Sequence, residues 1–597
     1  MNQTIYPIGI QNFEKIRKDG YLYIDKTALI YQLVKTGSYY FLSRPRRFGK
    51  SLLLSTLEAY FQGKRELFEG LAMERLEKDW EVYPILHLDL NARHYKDTAA
   101  LTSILNEFLE KWEALYGTEK QDRALEERFS YVIEQAYRQT GHRVVILIDE
   151  YDKPLLQNLH DEDMQDQLRN MLKPFYGVLK TMDGAIRFAL LTGVTKFGKV
   201  SVFSDLNNLM DISMDDRYVE ICGITEKEIH TCLEDEVREL AGAQDMTYEE
   251  TCLRLKECYD GYHFVENSIG MYNPFSLLNT FARRKFGDYW FETGRPSYLV
   301  ELLKHTHYDL YEMANTETDV DVLNSIDSAS INPVPVIYQS GYLTIKDYDP
   351  EFGIYRLGFP NREVEEGFVK YLLPFYTSVS APKTPFEIGQ FVREIRSGDY
   401  DAFFRRLQSF FADTPYEVIA GQKPERDTEL HYRNVLFIVF KLVGLYTQVE
   451  YHTSQGRIDL VLKTDRYIYV MEFKLNGTAD PAALRAFFAA NDFNALAFTD
   501  ARSRYQFYNL GRLWSDMEAA RAADVKLLHL CTPPVSAAEV YTAVTGKADW
   551  HNELPKPPFD YDLRSRHAAL LGGSGDYLCT KQQELDDITR FMRSWRD

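Results

Sequence analysis

Short continuous apolar runs punctuate the first 200 residues: SYYFL at 38–42, PILHLDL at 84–90, RVVILID at 143–149 and RFALLTGVT at 187–195. Runs of this length without alternation suit strands buried on both faces, as in a parallel sheet. Residues 52–61 and 99–116 read as helices, so strand and helix follow one another as in an α/β fold. Beyond 223 the pattern turns helical, and Thr225-Glu226-Lys227-Glu228 has the form of a capping box. Residues 336–345 and 355–357 read as a helix end and a β-hairpin. Leu436, Val439, Leu442 and Val443 keep helical spacing within 428–446. Strands at 447–452, 457–462 and 467–475 follow, separated by turns at 454–456 and 464–466. After 500, Pro533-Pro534 and Pro555-Lys556-Pro557-Pro558 mark loops, and LLGGSG at 570–575 reads as a flexible linker.

Charge sharpens this division. The 597 residues carry 69 Lys+Arg and 89 Asp+Glu, a formal net charge of −20. Residues 201–330 hold 26 acids and 10 bases, whereas 9–60 hold nine bases and four acids. A chain this acidic is excluded as a polycation that coats nucleic acid over its whole surface, though a local basic groove is not. Chemistry is therefore expected outside the acidic middle. The length suggests about three to five domains. No basic start followed by an apolar run opens the sequence, and no apolar stretch reaches the roughly 18 residues of a membrane span. The six cysteines form no CxxC pair, which points to reduced thiols in a cytoplasmic protein without a membrane partner.

The run at 38–42 leads into Arg44-Pro45-Arg46-Arg47-Phe48-Gly49-Lys50-Ser51 and then the helix at 52–61. Strand, loop, Gly-Lys-Ser, helix is the context of a phosphate-binding Walker A loop. Backbone N–H groups at a helix N-terminus face the phosphates. Lys50 would reach the β- and γ-phosphates, and the Ser51 hydroxyl would ligate Mg²⁺. Arg44 stands where the motif has glycine, so the loop is expected to bend differently. The apolar strand at 143–149 ends in Asp149-Glu150, at the sheet edge where α/β proteins bind ligands. Asp149 is expected to hold Mg²⁺ and Glu150 to act as the base that orients attacking water. Thr192 and Thr195, at the end of the next strand, are candidate γ-phosphate sensors. Lys196, Lys199 and Arg217 are candidate charge sensors or trans-acting fingers.

With the opening GIQNFEKIRKDGYLYIDKTALI, the runs FLSRPRRFGKS, VVILIDEYDKPL, LLTGVTKFGKVSVFSDLNNLMDIS and CYDGYHF…MYNPFSLLN together resemble the AAA-ATPase-like family, over roughly residues 5–300. That family is commonly joined to a C-terminal PD-(D/E)xK nuclease domain in bacterial proteins. The resemblance implies a P-loop NTPase core at 1–222 and a helical acidic lid at 223–330, with ATP and Mg²⁺ as cofactors. It also tolerates Arg44 in place of glycine. Arg44, Arg46, Arg47, Gly49, Lys50, Ser51, Asp149 and Thr192 are accordingly expected around the nucleotide.

A second constellation lies near the C-terminus. Period 2 places Glu472 and Lys474 on one face of their strand, and the hairpin would bring Asp459 beside them. Two carboxylates that gather Mg²⁺ activate water and stabilise charge on a phosphodiester, and the lysine positions that water. Glu429, on the preceding helix, is a candidate third acidic ligand. Alternating charges also suit any exposed strand face. GRIDLVL followed by IYVMEFKLNG, however, looks like the PD-(D/E)xK nuclease domain, with Asp459, Glu472 and Lys474 matching its core. A smaller α/β restriction-endonuclease-like domain is thus expected at 381–500. The helix with a glutamine and a lysine–aromatic pair that usually follows is missing at 483–490, and 501–597 forms a divergent tail.

The expected function is ATP hydrolysis coupled to a Mg²⁺-dependent nuclease acting on nucleic acid, DNA ahead of RNA. The alternatives are an ATP-dependent switch or scaffold with a degenerate nuclease fold, acting with a protein partner or as a homo-oligomer, and ATP-driven DNA remodelling through a winged-helix connector at 331–380.

Overall fold

The computed structural model describes residues 4–594 apart from 160, 198–207, 294–296, 314–315, 324–325, 327–331, 378, 413–425, 445–447, 455–456, 465, 474–495, 497–498 and 555–556. The chain divides into two compact units, Met1–Ser454 with Ile458–Met471, and Gln455–Arg457 with Glu472–Asp597.

The first unit is built on five strands: β1 (Tyr39–Ser43), β2 (Ile85–Asp89), β3 (Val144–Asp149), β4 (Ile186–Gly193) and β5 (Met210–Asp211). Their order is β2-β3-β4-β1-β5 and every pairing is parallel. Every residue of β1 and β3 is buried, as their unbroken apolar runs require. Parallel neighbours need crossover connections, which the helices Lys50–Phe61, Thr98–Tyr116, Leu125–Thr140 and Glu162–Thr181 supply. The order has a consequence for chemistry. β4 lies between β1 and β3, with Ser43 opposite Gly193 and Ile148 opposite Leu191. The end of β4 therefore falls between the loop after β1 and the acids that close β3.

The acidic stretch is helical, with Glu226–Cys232, Glu234–Ala243, Tyr248–Tyr259 and Pro274–Arg283 joined beside a short antiparallel pair, β6 (Ile224–Thr225) and β7 (Met271–Tyr272). The capping box forms: Glu228 accepts from the Thr225 N–H at 2.8 Å, and Thr225 Oγ1 accepts from the Glu228 N–H at 3.1 Å. Thr247 and Glu250 repeat it. Leu233, Val237, Leu240, Leu255, Leu277 and Phe281 turn inward to a shared core.

Next come β8 (Glu317–Asp319), β9 (Thr344–Asp349) and β10 (Ile354–Gly358), an antiparallel sheet in the order β8-β10-β9, and the helix Arg362–Tyr376. The helix Arg426–Gly444 is pinned to this helix by Lys441, whose Nζ donates to Glu365 at 2.7 Å. β11 (Gln448–Ser454), β12 (Arg457–Lys463) and β13 (Ile468–Phe473) form a sheet in chain order.

The second unit holds the antiparallel pair β14 (Arg504–Tyr505) and β15 (Val535–Ser536), with helices Leu513–Ala522, Ala537–Thr545 and Lys581–Ser594. The stretch 570–575, expected as a flexible linker, is instead a tight turn. Gly573 donates to Ala568 O at 2.8 Å, and a Cβ on Gly573 would sit 2.1 Å from Tyr577 O. Gly573 answers crowding in the turn, while Gly572 and Gly575 take left-handed φ of +81° and +70° there. No described helix is long and apolar enough to cross a membrane.

Candidate functional site

The loop after β1 turns through Arg47 at φ +68° and Gly49 at φ +101°, and the helix Lys50–Phe61 starts immediately after it. A left-handed N-cap suits glycine, and the free N–H groups of the first turn then face the space beyond the sheet edge. That space is a cleft of about 470 Å³. Arg46, Arg47, Gly49, Lys50 and Ser51 line one wall, and Glu150 and Lys153 another. Lys50 is buried, donates to the carbonyls of Arg44 (3.0 Å) and Pro45 (3.3 Å), and lies 3.8 Å from Glu150 Oε1.

Beneath the cleft two hydroxyls converge on one carboxylate. Ser51 Oγ donates to Asp149 Oδ2 at 2.5 Å, and Thr192 Oγ1 donates to Asp149 Oδ1 at 2.6 Å. The Glu150 N–H donates to the same Oδ1 at 3.0 Å. Asp149 and Thr192 are buried and do not line the cleft, whereas Ser51 and Glu150, which both bond Asp149, do. Glu150 holds φ +53°, a conformation uncommon for a residue with a Cβ.

Arg44 goes elsewhere. It is 1% exposed and does not line the cleft. Its guanidinium donates to the carbonyls of Ser43 (3.0 Å) and Ser213 (2.7 Å) and lies 4.0 Å from the Phe264 ring centre. Burial pulls it down to about 10. It occupies the glycine position of the motif as a brace between the loop and the segments behind it. Phe48 braces the loop against the same segment, packing edge-on against Tyr262 and Phe264. The aromatic turn at 259–262 is thus a packing element.

The candidate sensors separate. Thr195 bonds Asp152, not the cleft. Lys196 pairs with Asp211 at 2.6 Å and Arg217 with Asp215 at 2.6 Å. Lys199 lies outside the described residues.

Several lining residues escape motif reading. Pro7–Gln11 and Pro274, Phe275 and Leu278 close the cleft from the N-terminal segment and the helix Pro274–Arg283. Asn273 caps that helix, accepting from Phe275 and Ser276 N–H groups. Trp290 also lines the cleft and donates its indole N–H to Arg46 O at 2.9 Å. Its backbone N–H donates to Glu363 at 2.7 Å, where Ser276 Oγ donates at 2.8 Å. Burial pushes the Glu363 carboxyl up to about 8, against those hydrogen bonds. An Asn-Pro-Phe turn was the visible signal for Phe275; nothing local marked Trp290 or Glu363.

Of the second constellation, Glu429 lies on the helix Arg426–Gly444, Asp459 on β12 and Glu472 on β13. Their side chains and all of Lys474 lie outside the described residues, as does 483–490. The described residues hold no group of three metal-ligating side chains.

Comparison with known proteins joins these observations. Residues 7–203 match a family model described as predicted AAA-ATPase, and 427–489 match one for the PD-(D/E)XK nuclease superfamily. The chain is also similar to an uncharacterized protein in the vnfD 5' region of Azotobacter chroococcum mcd 1. The two are 36% identical over 483 residues, 80% of this chain and 90% of that protein. No solved structure matches. The phosphate loop, the acid-tipped neighbouring strand and the strand inserted between them fall inside the first match, and the helix and strands bearing Glu429, Asp459 and Glu472 inside the second. The chain belongs to the AAA-ATPase-like family and carries a C-terminal PD-(D/E)XK nuclease superfamily domain.

Proposed function

We propose that the cleft binds and hydrolyses ATP with Mg²⁺, and that this cycle governs a Mg²⁺-dependent nuclease acting on nucleic acid, DNA ahead of RNA. The observation that carries the reading is the convergence of the Ser51 and Thr192 hydroxyls on Asp149 under a cleft that Lys50 and Glu150 enter together. Ser51 and Asp149 are hard oxygen donors of the kind Mg²⁺ accepts, and they would hold it beside the phosphates. The ion would neutralise phosphate charge there. Lys50, Arg46 and Arg47 supply further positive charge, and Glu150 is the base that orients water. An apolar slot of about 110 Å³ shares the Pro7, Gly49, Leu52, Pro274 and Leu278 wall of the cleft and adds Ile24, Leu53 and Ile221. Such a slot suits a flat heterocyclic base.

In the nuclease, Asp459 and Glu472, with Glu429 as a third acid, would hold Mg²⁺, and Lys474 would position water. The connector at 331–380 fits domain packing better than DNA contact. Thr344 Oγ1 accepts from the His263 N–H at 2.7 Å and donates to His263 O at 3.1 Å, so the start of the hairpin is held against the 259–263 turn.

The test measures ATP turnover and cleavage of single-stranded DNA, double-stranded DNA and RNA by the full-length protein with Mg²⁺ or Mn²⁺, with and without ATP. Lys50→Ala and Asp149→Ala are expected to stop turnover, and Asp459→Ala to stop cleavage alone. Wild-type turnover in Lys50→Ala would sink the first half, and full cleavage by Asp459→Ala the second. Binding of ATP without cleavage of any substrate would favour the switch or scaffold reading.

A further inference from the structure

We infer that Asp152 is a positioning residue for the hydrolysis proposed above: it clamps the end of β4 to the turn after β3 and so holds Glu150 in its left-handed conformation beside Lys50. The inference rests on that reading of the cleft.

Three observations carry it. Asp152 is 0% exposed, and its Oδ2 accepts from the Thr195 N–H at 2.6 Å, the Thr195 hydroxyl at 2.5 Å and the Val194 N–H at 3.1 Å. Charged acceptors make strong bonds to backbone N–H groups, so this oxygen fixes where β4 ends. Next, the φ of +53° at Glu150 costs about 1–2 kcal/mol for a residue with a Cβ. Such a conformation persists where flanking contacts over-determine it. Here the Glu150 N–H is held by Asp149 at 3.0 Å, the Tyr151 N–H by Thr192 O at 3.1 Å, and Asp152 by the end of β4. Lastly, a Cβ on Gly193 would lie 2.6 Å from Asp152 Oδ1 and 2.7 Å from the Tyr151 ring. The glycine makes room for the clamp.

Asp152 Oδ1 accepts no hydrogen bond from the described residues. Burial, and then the charge of Glu150, also push the Asp152 carboxyl above the ordinary carboxylate range, with Lys50 opposing. The site therefore holds a carboxylate at a cost, next to the residues proposed to react.

The test compares Asp152→Ala, Asp152→Asn and Gly193→Ala in the full-length protein, each alone and combined with Glu150→Gln. Steady-state ATP turnover is read together with the affinity for a fluorescent ATP analogue. Asp152→Ala and Gly193→Ala are expected to lower kcat at least about tenfold with KM and analogue affinity within about threefold. Asp152→Asn keeps an acceptor for the Thr195 N–H and is expected to restore most of kcat. In the Glu150→Gln background the same changes should cost less than about twofold, since a residue that acts through Glu150 has nothing left to position. Hydrogen exchange at 149–153 and 193–197 should rise in Asp152→Ala whether or not nucleotide turns over. Full additivity with Glu150→Gln, parallel loss of affinity and kcat, or unchanged exchange would overturn the positioning role. A wild-type protein that binds no nucleotide would instead overturn the reading of the cleft, and the exchange data would still decide the clamp.

Discussion

The sheet core and the helical region after it bury acid by different means. In the core, Asp149 and Asp152 sit at strand ends, held by hydroxyl and N–H donors, with Lys50 close by. In the helical region most acids stay solvated or serve as caps, while Asp260 and Glu363 are buried, with Ser276 and Trp290 donating to Glu363. Buried carboxylates without a cation favour the neutral form, whereas those met by several donors and a cation can stay charged. In the core the Thr195 donors and Lys50 oppose the burial that pushes the Asp152 carboxyl up. The helical region uses Glu363 as a bolt between the helix Arg362–Tyr376 and Trp290, whose indole reaches the phosphate loop.

The largest expected effects test the core side of this contrast. Glu150→Gln should lower kcat for ATP by about 10²-fold or more while nucleotide affinity stays within a few-fold. Steady-state kinetics with a binding titration check this, and equal loss of both would mean Glu150 only binds.

The next prediction tests the other side. A carboxyl raised from its ordinary 4.5 to about 8 in the folded protein binds its proton more tightly folded than unfolded. Its contribution to stability is therefore full below about 4.5 and is lost as pH rises toward about 8. Glu363→Gln should flatten that fall, a change of a few kcal/mol at most across the window. Denaturant melts of both proteins at pH 5 and pH 8 measure it. An unchanged pH slope would show that Glu363 is charged in the fold.

Arg44 and Lys50, six residues apart in one loop, sharpen the comparison further. Arg44→Gly restores the glycine of the common motif but removes a buried brace, and should cost about 2 kcal/mol of stability with KM within a few-fold. A thermal melt and KM together decide; a large rise in KM without destabilisation would put Arg44 at the nucleotide after all. Smallest is Thr225→Ala, which removes one cap in the acidic region for about 1 kcal/mol, read by denaturant midpoint, with turnover unchanged.

Much of the core was readable because a parallel strand writes itself as an unbroken apolar run and the phosphate loop as a fixed spacing. Lys50, Ser51, Asp149 and Glu150 follow from those two signals, and Thr192 from its place at a strand end. Arg44 misled because a motif names positions and not directions: its side chain turned toward Ser213 and Phe264, segments more than 160 residues away in sequence. Asp152 is adjacent to the acid pair, yet its role depends on the β3–β4 pairing, which periodicity does not reveal. Trp290 meets the loop, and Glu363 meets Trp290, only through tertiary packing, and no local pattern marks them. The glycines at 570–575 were readable as glycines but not as a turn, since crowding by Tyr577 O is a matter of three dimensions.

The most direct measurement of the central claim is the rate of DNA cleavage in Mg²⁺ with and without ATP, compared between wild type and Lys50→Ala. A cleft that governs the nuclease predicts that ATP changes the wild-type rate several-fold and leaves the rate of Lys50→Ala unchanged. The same response to ATP in both proteins, or a wild-type rate indifferent to ATP, would contradict it.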